Sequence, residues 1–548
     1  MINERLTIAI TIATTSAAVE IPPGNVERVE LEMTPYGVEA TLAFWLKDGA
    51  AMGGAVTDDL LTDFLAAGLL KVTLEISSIY LRESMETPPD PLTVKGVVVS
   101  RAVTLEPFAE ANEDVSGLKI GVPTVIRRYE VRVVDPAAAL WRQHRPCALY
   151  VQKTVMDVVN EHKGSHITIT GDTPFLTVSH DVLTLGVGAD LGGATFYDWL
   201  LGLVAQHDSQ MLYDAKLGSY SLVDTKPATG TAGAIPPRAV RAVRAILPEP
   251  PRHDVHVLNA STLDVKNETV TSANTAGIRH DLLLRSPIAA VVTDRKTLET
   301  RRNRVPKQML ELDLNAWPAV AAQPGALVSL DLTAWGTTGL AAATSCRVTA
   351  FKLNVRGTQV ADQERAASAP MEGRLTVTME ASDDATPRLP VTRPAQTPIE
   401  VEGLVVSTVG EEDQLTWEVT THSETSIDQV KVKVPLWTNQ EVVVDLHPDA
   451  FSGHTWRPLY KGQRVLLRLK AFEAEILRCL DWRPGARQTA ATQGDAVMLG
   501  KTETDRTLLT HLYTDDKPVF EINRKNDKDI AFIKIEEGVL TIKVHEES

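Results

Sequence analysis

The sequence has no surplus of positive charge. Among 548 residues, 55 Lys and Arg stand against 71 Asp and Glu, a formal net charge of −16. Phosphate backbones and anionic lipid surfaces call for the opposite balance, so nucleic acid is not expected as a partner. Cysteine is scarce. Cys147, Cys346 and Cys479 are far apart and odd in number, with no C-x-x-C pair to hold a metal or a redox dithiol, so they read as inert thiols. Long apolar runs are missing too: no stretch approaches the roughly 20 residues that span a bilayer, which excludes a stable membrane anchor of the helical kind. Residues 1–12 carry Glu4 and Arg5 and then alternate Leu6, Ile8, Ile10 and Ile12 with polar or small residues, a strand pattern and not a signal peptide. The chain is expected to be made and assembled in the cytoplasm.

What is present is β-structure. With 43% hydrophobic and 23% charged residues the chain is of ordinary globular composition, long enough for about three or four domains. Period-two alternation recurs in Val72, Leu74 and Ile76, in Tyr129, Val131 and Val133, in Phe351, Leu353 and Val355, and in Leu375, Val377 and Met379. Such alternation marks half-buried antiparallel strands. A few segments switch to helical spacing behind a threonine. Thr57 leads into Leu60, Leu61, Phe64 and Leu65 with a weak cap. Thr154 with Asp157, and Thr195 with Asp198, predict fuller capping boxes, the second ahead of an apolar stripe of Phe196, Trp199, Leu200, Leu203 and Val204. The helices are expected to cluster between about 150 and 210.

Runs rich in Pro, Gly and Ala at 226–238, 247–252 and 385–398 read as linkers. With a further shift near 483–494 they divide the chain into 1–105, 106–245, 246–384, 396–487 and 488–548. Segment 396–487 is expected to form a five-stranded OB-fold barrel from Leu404–Val409, Leu415–Val419, Val430–Val434, Glu441–Leu446 and Val465–Leu469. The last segment has short apolar alternations that one chain cannot enclose. Three copies wound about a common axis would bury Phe520, Ile522, Ile530, Phe532, Ile533, Ile535, Leu540, Ile542 and Val544 as a trimer core. Lys534, Glu536, Thr541 and Lys543 would then face solvent. A hairpin packed back on the preceding barrel is the simpler alternative.

No catalytic pattern is evident. G-x-S-x-G, H-E-x-x-H and the phosphate-loop pattern are missing, and the glycines of 186–192 do not match the dinucleotide fingerprint. His253, Asp254 and His256 lack a third metal ligand in sequence, and Glu411, Glu412 and Asp413 read as solvated loop acids. No catalytic, cofactor-binding or metal residue is assigned, and no enzyme is expected.

Several motifs carry a family resemblance. Tyr129 to Pro136, Leu140-Trp141, Arg145-Pro146-Cys147 and Tyr150 to Val159 run in the order of the VgrG spike proteins of contractile injection systems. Phe196 to Tyr213, Val430 to Trp437, Trp456-Arg457-Pro458-Leu459 and Gly462-Gln463-Arg464-Val465 resemble that family's later elements. Departures include Ala137 to Ala139 in the loop that usually starts Pro-Trp-Leu, and Val151 where phenylalanine is common. The resemblance implies a mainly β tail hub with two hub β-barrels (1–105 and 246–384), a helix-containing insert (106–245), an OB-fold and a short intertwined triple-stranded β-helix (488–548). It also implies a homotrimer that adapts a hexameric inner tube protein to a threefold needle, baseplate proteins as neighbours, a PAAR-type tip protein at the carboxy-terminal end, and an effector cargo. The particle would be phage tail-like, delivered into the target envelope on sheath contraction. With only about 55 needle residues and none after Ser548, neither a fused effector enzyme nor a cell-wall hydrolase is expected. A polysaccharide-active β enzyme or a carbohydrate-binding adhesion protein is the reading from another class.

Overall fold

The structure is a computed structural model, and it describes residues 2–48, 57–80, 91–109, 123–189, 192–227, 231–263, 266–335, 343–358, 366–395, 398–447, 456–489 and 491–546. Parts of three glycine- and proline-rich runs read from the sequence, at 190–191, 228–230 and 396–397, lie outside the described residues. The chain forms two units: Met1–Cys147, Thr154–Val178 and Val187–Gln396 make the first, and Ala148–Lys153, Ser179–Gly186 and Thr397–Ser548 the second.

In the first unit the alternating strands close on themselves. Ile2–Ala13 pairs with Lys71–Ser78, which pairs with Leu92–Ala109, then Pro123–Val134, Gly37–Asp48, Val26–Thr34, Ala343–Gly357 and Ala369–Ala381. The last returns to the first through Ile2↔Gly373 and Leu6↔Ala369, so the ring is closed and antiparallel throughout. One side of every strand fills the interior: Leu6, Ile8, Ile10 and Ile12, Leu42 and Phe44, Val131, Leu353, Val355 and Met371 are all buried. An eight-stranded ring is just wide enough for such side chains to meet in its middle.

The paired strands Ala343–Gly357 and Ala369–Ala381 have two sets of neighbours within one sheet. Residues 351–356 pair with 28–33 in the ring, whereas 343–347 pair with Leu327–Leu330. On the other strand, 375–380 pair with Met309–Leu314, which in turn pairs with Val240–Ile246. The change of partner coincides with a register shift between Val348 and Ala350. An extra residue of this kind bends a strand and steepens its twist, which lets the two strands leave the ring and continue the same sheet beyond it.

The helical insert follows the capping signals. Thr154 and Thr195 both close reciprocal boxes with Asp157 and Asp198, starting helices Val155–His162 and Phe196–Gln206. Asp135 caps Pro136–Leu140, and its carboxylate accepts hydrogen bonds from the Ala138 amide at 2.9 Å and the Tyr220 hydroxyl at 2.5 Å. Thr57 does not cap its helix. Leu61–Leu65 starts after Leu60, whose amide donates to the Asp58 side chain at 3.0 Å.

The helices are not confined to 150–210. The longest in the first unit, Ala289–Arg302, packs on the strands His253–Asn259 and Glu268–Val270, with Lys296 2.7 Å from Glu268. Its buried residues are Val292 and Glu299, and Ile288 offers no side-chain cap, so neither an apolar stripe nor a start signal marks it in the sequence.

In the second unit, Ile399–Val406, Arg464–Leu469, Ala474–Cys479, Gln440–Asp445 and Asp428–Val434 close a five-stranded barrel, the last pairing back with the first through Val405↔Val432. Its core is aliphatic, with Val405, Val430, Val432, Val442, Val444, Val465 and Leu467 buried, and Leu149 and Val182 packed onto it. Gly403 sits where a Cβ would lie 2.5 Å from Val432, so only glycine permits that approach of strands. One expected strand is displaced: 415–419 is no strand, and Ala474–Cys479 is the fifth. The Thr416 hydroxyl donates to the Val409 carbonyl at 2.6 Å and lies 3.0 Å from the Ser407 hydroxyl, local bonds that compete with a ladder. Among the described residues no helix is long and apolar enough to cross a membrane.

Candidate functional site

The carboxy-terminal residues form a single antiparallel meander: Gly494–Gly500, Asp505–Thr514, Lys517–Asn526, Asp529–Glu536 and Val539–Glu546, each paired with the next. Its last three connections are two-residue turns, at Asp515-Asp516, Asp527-Lys528 and Glu537-Gly538. Both residues of the first and third have positive φ, of 49° and 59° and of 47° and 79°. Tight turns of this hand match the twist of the flanking strands and fix their register.

That register aligns Val497, Leu509, Ile522, Ile533 and Ile542 in one row across all five strands. Side chains two residues apart along a strand share a face. Leu499, Phe520, Ala531, Ile535, Leu540 and Val544 therefore flank the row on the same side, with polar residues such as Asp495, Thr507, His511, Arg524 and Asp529 towards the strand ends. Along its last two strands the face is open, from 39% exposed at Ile533 to 76% at Val544, whereas Leu509, Phe520 and Ile522 are half-buried.

The opposite face is more covered, with Leu508 and Val519 buried, and it carries Lys517, Lys525, Lys534 and Lys543. Thr510, Glu521, Lys534 and Thr541 form its central row, with Lys534 2.7 Å from Glu536 and the Asn523 amide donating to Glu521 at 2.9 Å. Lys534, Glu536, Thr541 and Lys543 thus share one side, as the alternation requires.

Seven of the nine residues expected in a common core, Phe520, Ile522, Ile533, Ile535, Leu540, Ile542 and Val544, lie together on the apolar face. Ile530 and Phe532 lie on the other. Phe532 sits opposite Asn523 and Lys543, because adjacent residues of one strand cannot point the same way. Sequence reasoning missed Val497, Leu499 and Leu509, although their own alternation was a usable signal.

The sheet is tied to the barrel at its root. The Arg483 guanidinium lies over the Tyr460 ring at 4.0 Å and donates to the carbonyls of Gly500 at 2.8 Å and Pro458 at 3.0 Å. Arg506 donates to the Gly485 carbonyl.

The other candidates of the sequence do not converge. The Asp254 carboxylate accepts from the Ser272 amide at 2.8 Å, and His256 lies 3.8 Å from Asp281. Among the described residues no three His, Cys, Asp or Glu side chains are grouped as metal ligands.

The chain thus combines a closed β-ring, a capped helical insert, a five-stranded barrel and a terminal sheet with one largely apolar face. No protein-family model matches the sequence, and no curated protein does. Among solved structures, the chain is similar to one in the half-lidded Francisella PdpA-VgrG complex, at 13% identity and a TM-score of 0.70, covering 99% of this chain and 89% of that one. The lidded form of the complex gives the same identity and TM-score, with 80% of its chain covered. The lidless PdpA-VgrG complex contains a chain matched at 13% identity and a TM-score of 0.71, with 99% of each chain covered. The fold therefore follows that of a chain of the PdpA-VgrG complex along almost its whole length, in keeping with the order of motifs in the sequence.

Proposed function

We propose that this chain is the hub and spike at the tip of the inner tube of a contractile injection system, acting as a homotrimer and as a structural part, not an enzyme. The observation that carries the reading is the exposed apolar face of the terminal sheet. A row of five aliphatic side chains spanning every strand, with further aliphatics on either side, costs free energy in water at about 25 cal/mol per Å². Three copies wound about one axis would bury it while the Lys534 and Glu521 face stays wet.

Such a needle concentrates the force of sheath contraction on the target envelope, and none of its strands can leave the shared core alone. The VgrG-like fold supports the placement between a hexameric tube and a threefold needle. Tube protein, baseplate proteins, a small tip protein of PAAR type beyond Val544 and an effector cargo complete the assembly in this reading. Assembly takes place in the cytoplasm, before the particle acts on a target envelope.

Light scattering on the purified full chain tests it. Three times 59.7 kDa, about 179 kDa, is the expected mass, and removal of 495–548 is expected to lower it. A stable monomer whose residues 494–546 are folded and resist protease would overturn the proposal.

A further inference from the structure

Within the first unit, a cavity of about 230 Å³ is lined by the ends of several strands, with Met33, Leu212, Pro227 and Pro324 supplying apolar walls and Gln210 and Lys226 supplying polar ones. Gln210 opens the strand Gln210–Asp214 and is 1% exposed, yet neither its Nε2 nor its Oε1 has a hydrogen-bond partner among the described residues. A buried amide is expensive to leave unpaired at both ends.

Lys226 adds a second, independent observation. Its side chain is 5% exposed, and its only acceptor among the described residues is Glu380, at 2.5 Å. An ammonium carries three donors. Glu380 itself is fully engaged, with Arg347 on one oxygen at 3.2 Å and Arg388 on the other at 3.2 Å. The cavity wall therefore has unused donors on Gln210 and Lys226, and one unused acceptor, the Gln210 Oε1.

We infer that this cavity binds a small molecule in which an acceptor oxygen stands beside an N–H donor and an apolar group, the pattern of an apolar α-amino acid. The carboxylate takes the donors of Lys226 and of Gln210 Nε2. The ammonium donates to Gln210 Oε1, and the side chain meets Met33, Leu212 and the two prolines. The volume equals roughly eight waters at about 30 Å³ each, the scale of a small amino acid. No step of the proposed spike function uses this cavity, so the two readings stand or fall separately.

Calorimetric titration of the full-length protein with leucine, and with 4-methylpentanoate as a probe that keeps the carboxylate and the branched chain but lacks the ammonium, tests the inference. Leucine is expected to bind at millimolar concentration or better, and 4-methylpentanoate at least about tenfold more weakly, for want of the donor to Oε1. Gln210→Leu is expected to lose leucine binding by about tenfold or more. Gln210→Glu, which keeps the shape and replaces the donor by a second carboxylate, loses it as well, and circular dichroism checks that both variants fold. No heat with leucine, equal binding of both probes, unchanged binding in folded variants, or crystals grown with leucine that hold only solvent in the cavity would each overturn it.

Discussion

The guanidinium of Arg483 lies over the ring of Tyr460, 4.0 Å from its centroid, and from there reaches the Gly500 carbonyl at 2.8 Å. One side chain thus joins the end of the barrel to the end of the first strand of the terminal sheet. Arg483→Ala removes the cation–π contact and leaves two carbonyls short of a donor. The expected cost is about 1–3 kcal/mol, local to the junction. Hydrogen exchange of the amides in 494–500 is expected to rise, with the amides of the barrel strand Asp428–Val434 unchanged.

Ile542 and Thr541 are neighbours on opposite faces of the last strand. Ile542→Asp places a charge on the apolar face and is expected to dissociate the trimer or to weaken it at least tenfold, the price of burying an unpaired carboxylate. Thr541→Asp, on the polar face, is expected to leave the mass unchanged. Sedimentation of the two variants side by side reads the difference, and equal behaviour would count against the assignment of faces.

His144 Nε2 and His162 Nδ1 are 2.9 Å apart beside the Phe196 ring. Burial pushes the pKa of His144 below its ordinary value. It does the same to His162, helped by the charge of His144 and opposed by Glu161. The unfolded chain therefore takes up protons that the folded pair resists, and stability is lost as pH falls below about 6.5. Urea midpoints at about pH 7.5 and pH 5.5 are expected to differ more in the natural protein than in His162→Gln.

Thr195 and Asp198 satisfy each other's amides at the start of the helix Phe196–Gln206, the Asp198 carboxylate accepting from the Thr195 amide at 2.9 Å. Thr195→Ala is expected to cost about 1 kcal/mol in thermal unfolding of the first unit, and Thr195→Ser much less, because serine keeps the capping oxygen.

Gly37 leaves room for the carboxylate of Asp135: a Cβ there would lie 2.3 Å from its Oδ2. Gly37→Ala is expected to displace Asp135 from Tyr220 and to destabilise by roughly 1–3 kcal/mol. A denaturation curve for Gly37→Ala that overlays the natural one would mean that the carboxylate moves freely.

The sequence by itself determined the strand content, the two capping boxes, four of the five barrel strands, the order of motifs that resembles VgrG proteins, and most of the apolar face of the terminal sheet. These depend on residues two to four apart, where side-chain direction follows from backbone period alone. Only the tertiary structure decided which distant strands meet. Ile2 pairs with Gly373 and Val29 with Val355, and no local pattern carries a partner's address across more than three hundred residues. It also decided that Ala474–Cys479 and not 415–419 completes the barrel, that Ala289–Arg302 is a helix although it buries little, and that Ile530 and Phe532 face away from Ile533. The last of these is a matter of parity: period two separates the faces, but the turns that set the register determine which apolar residues stand in one row.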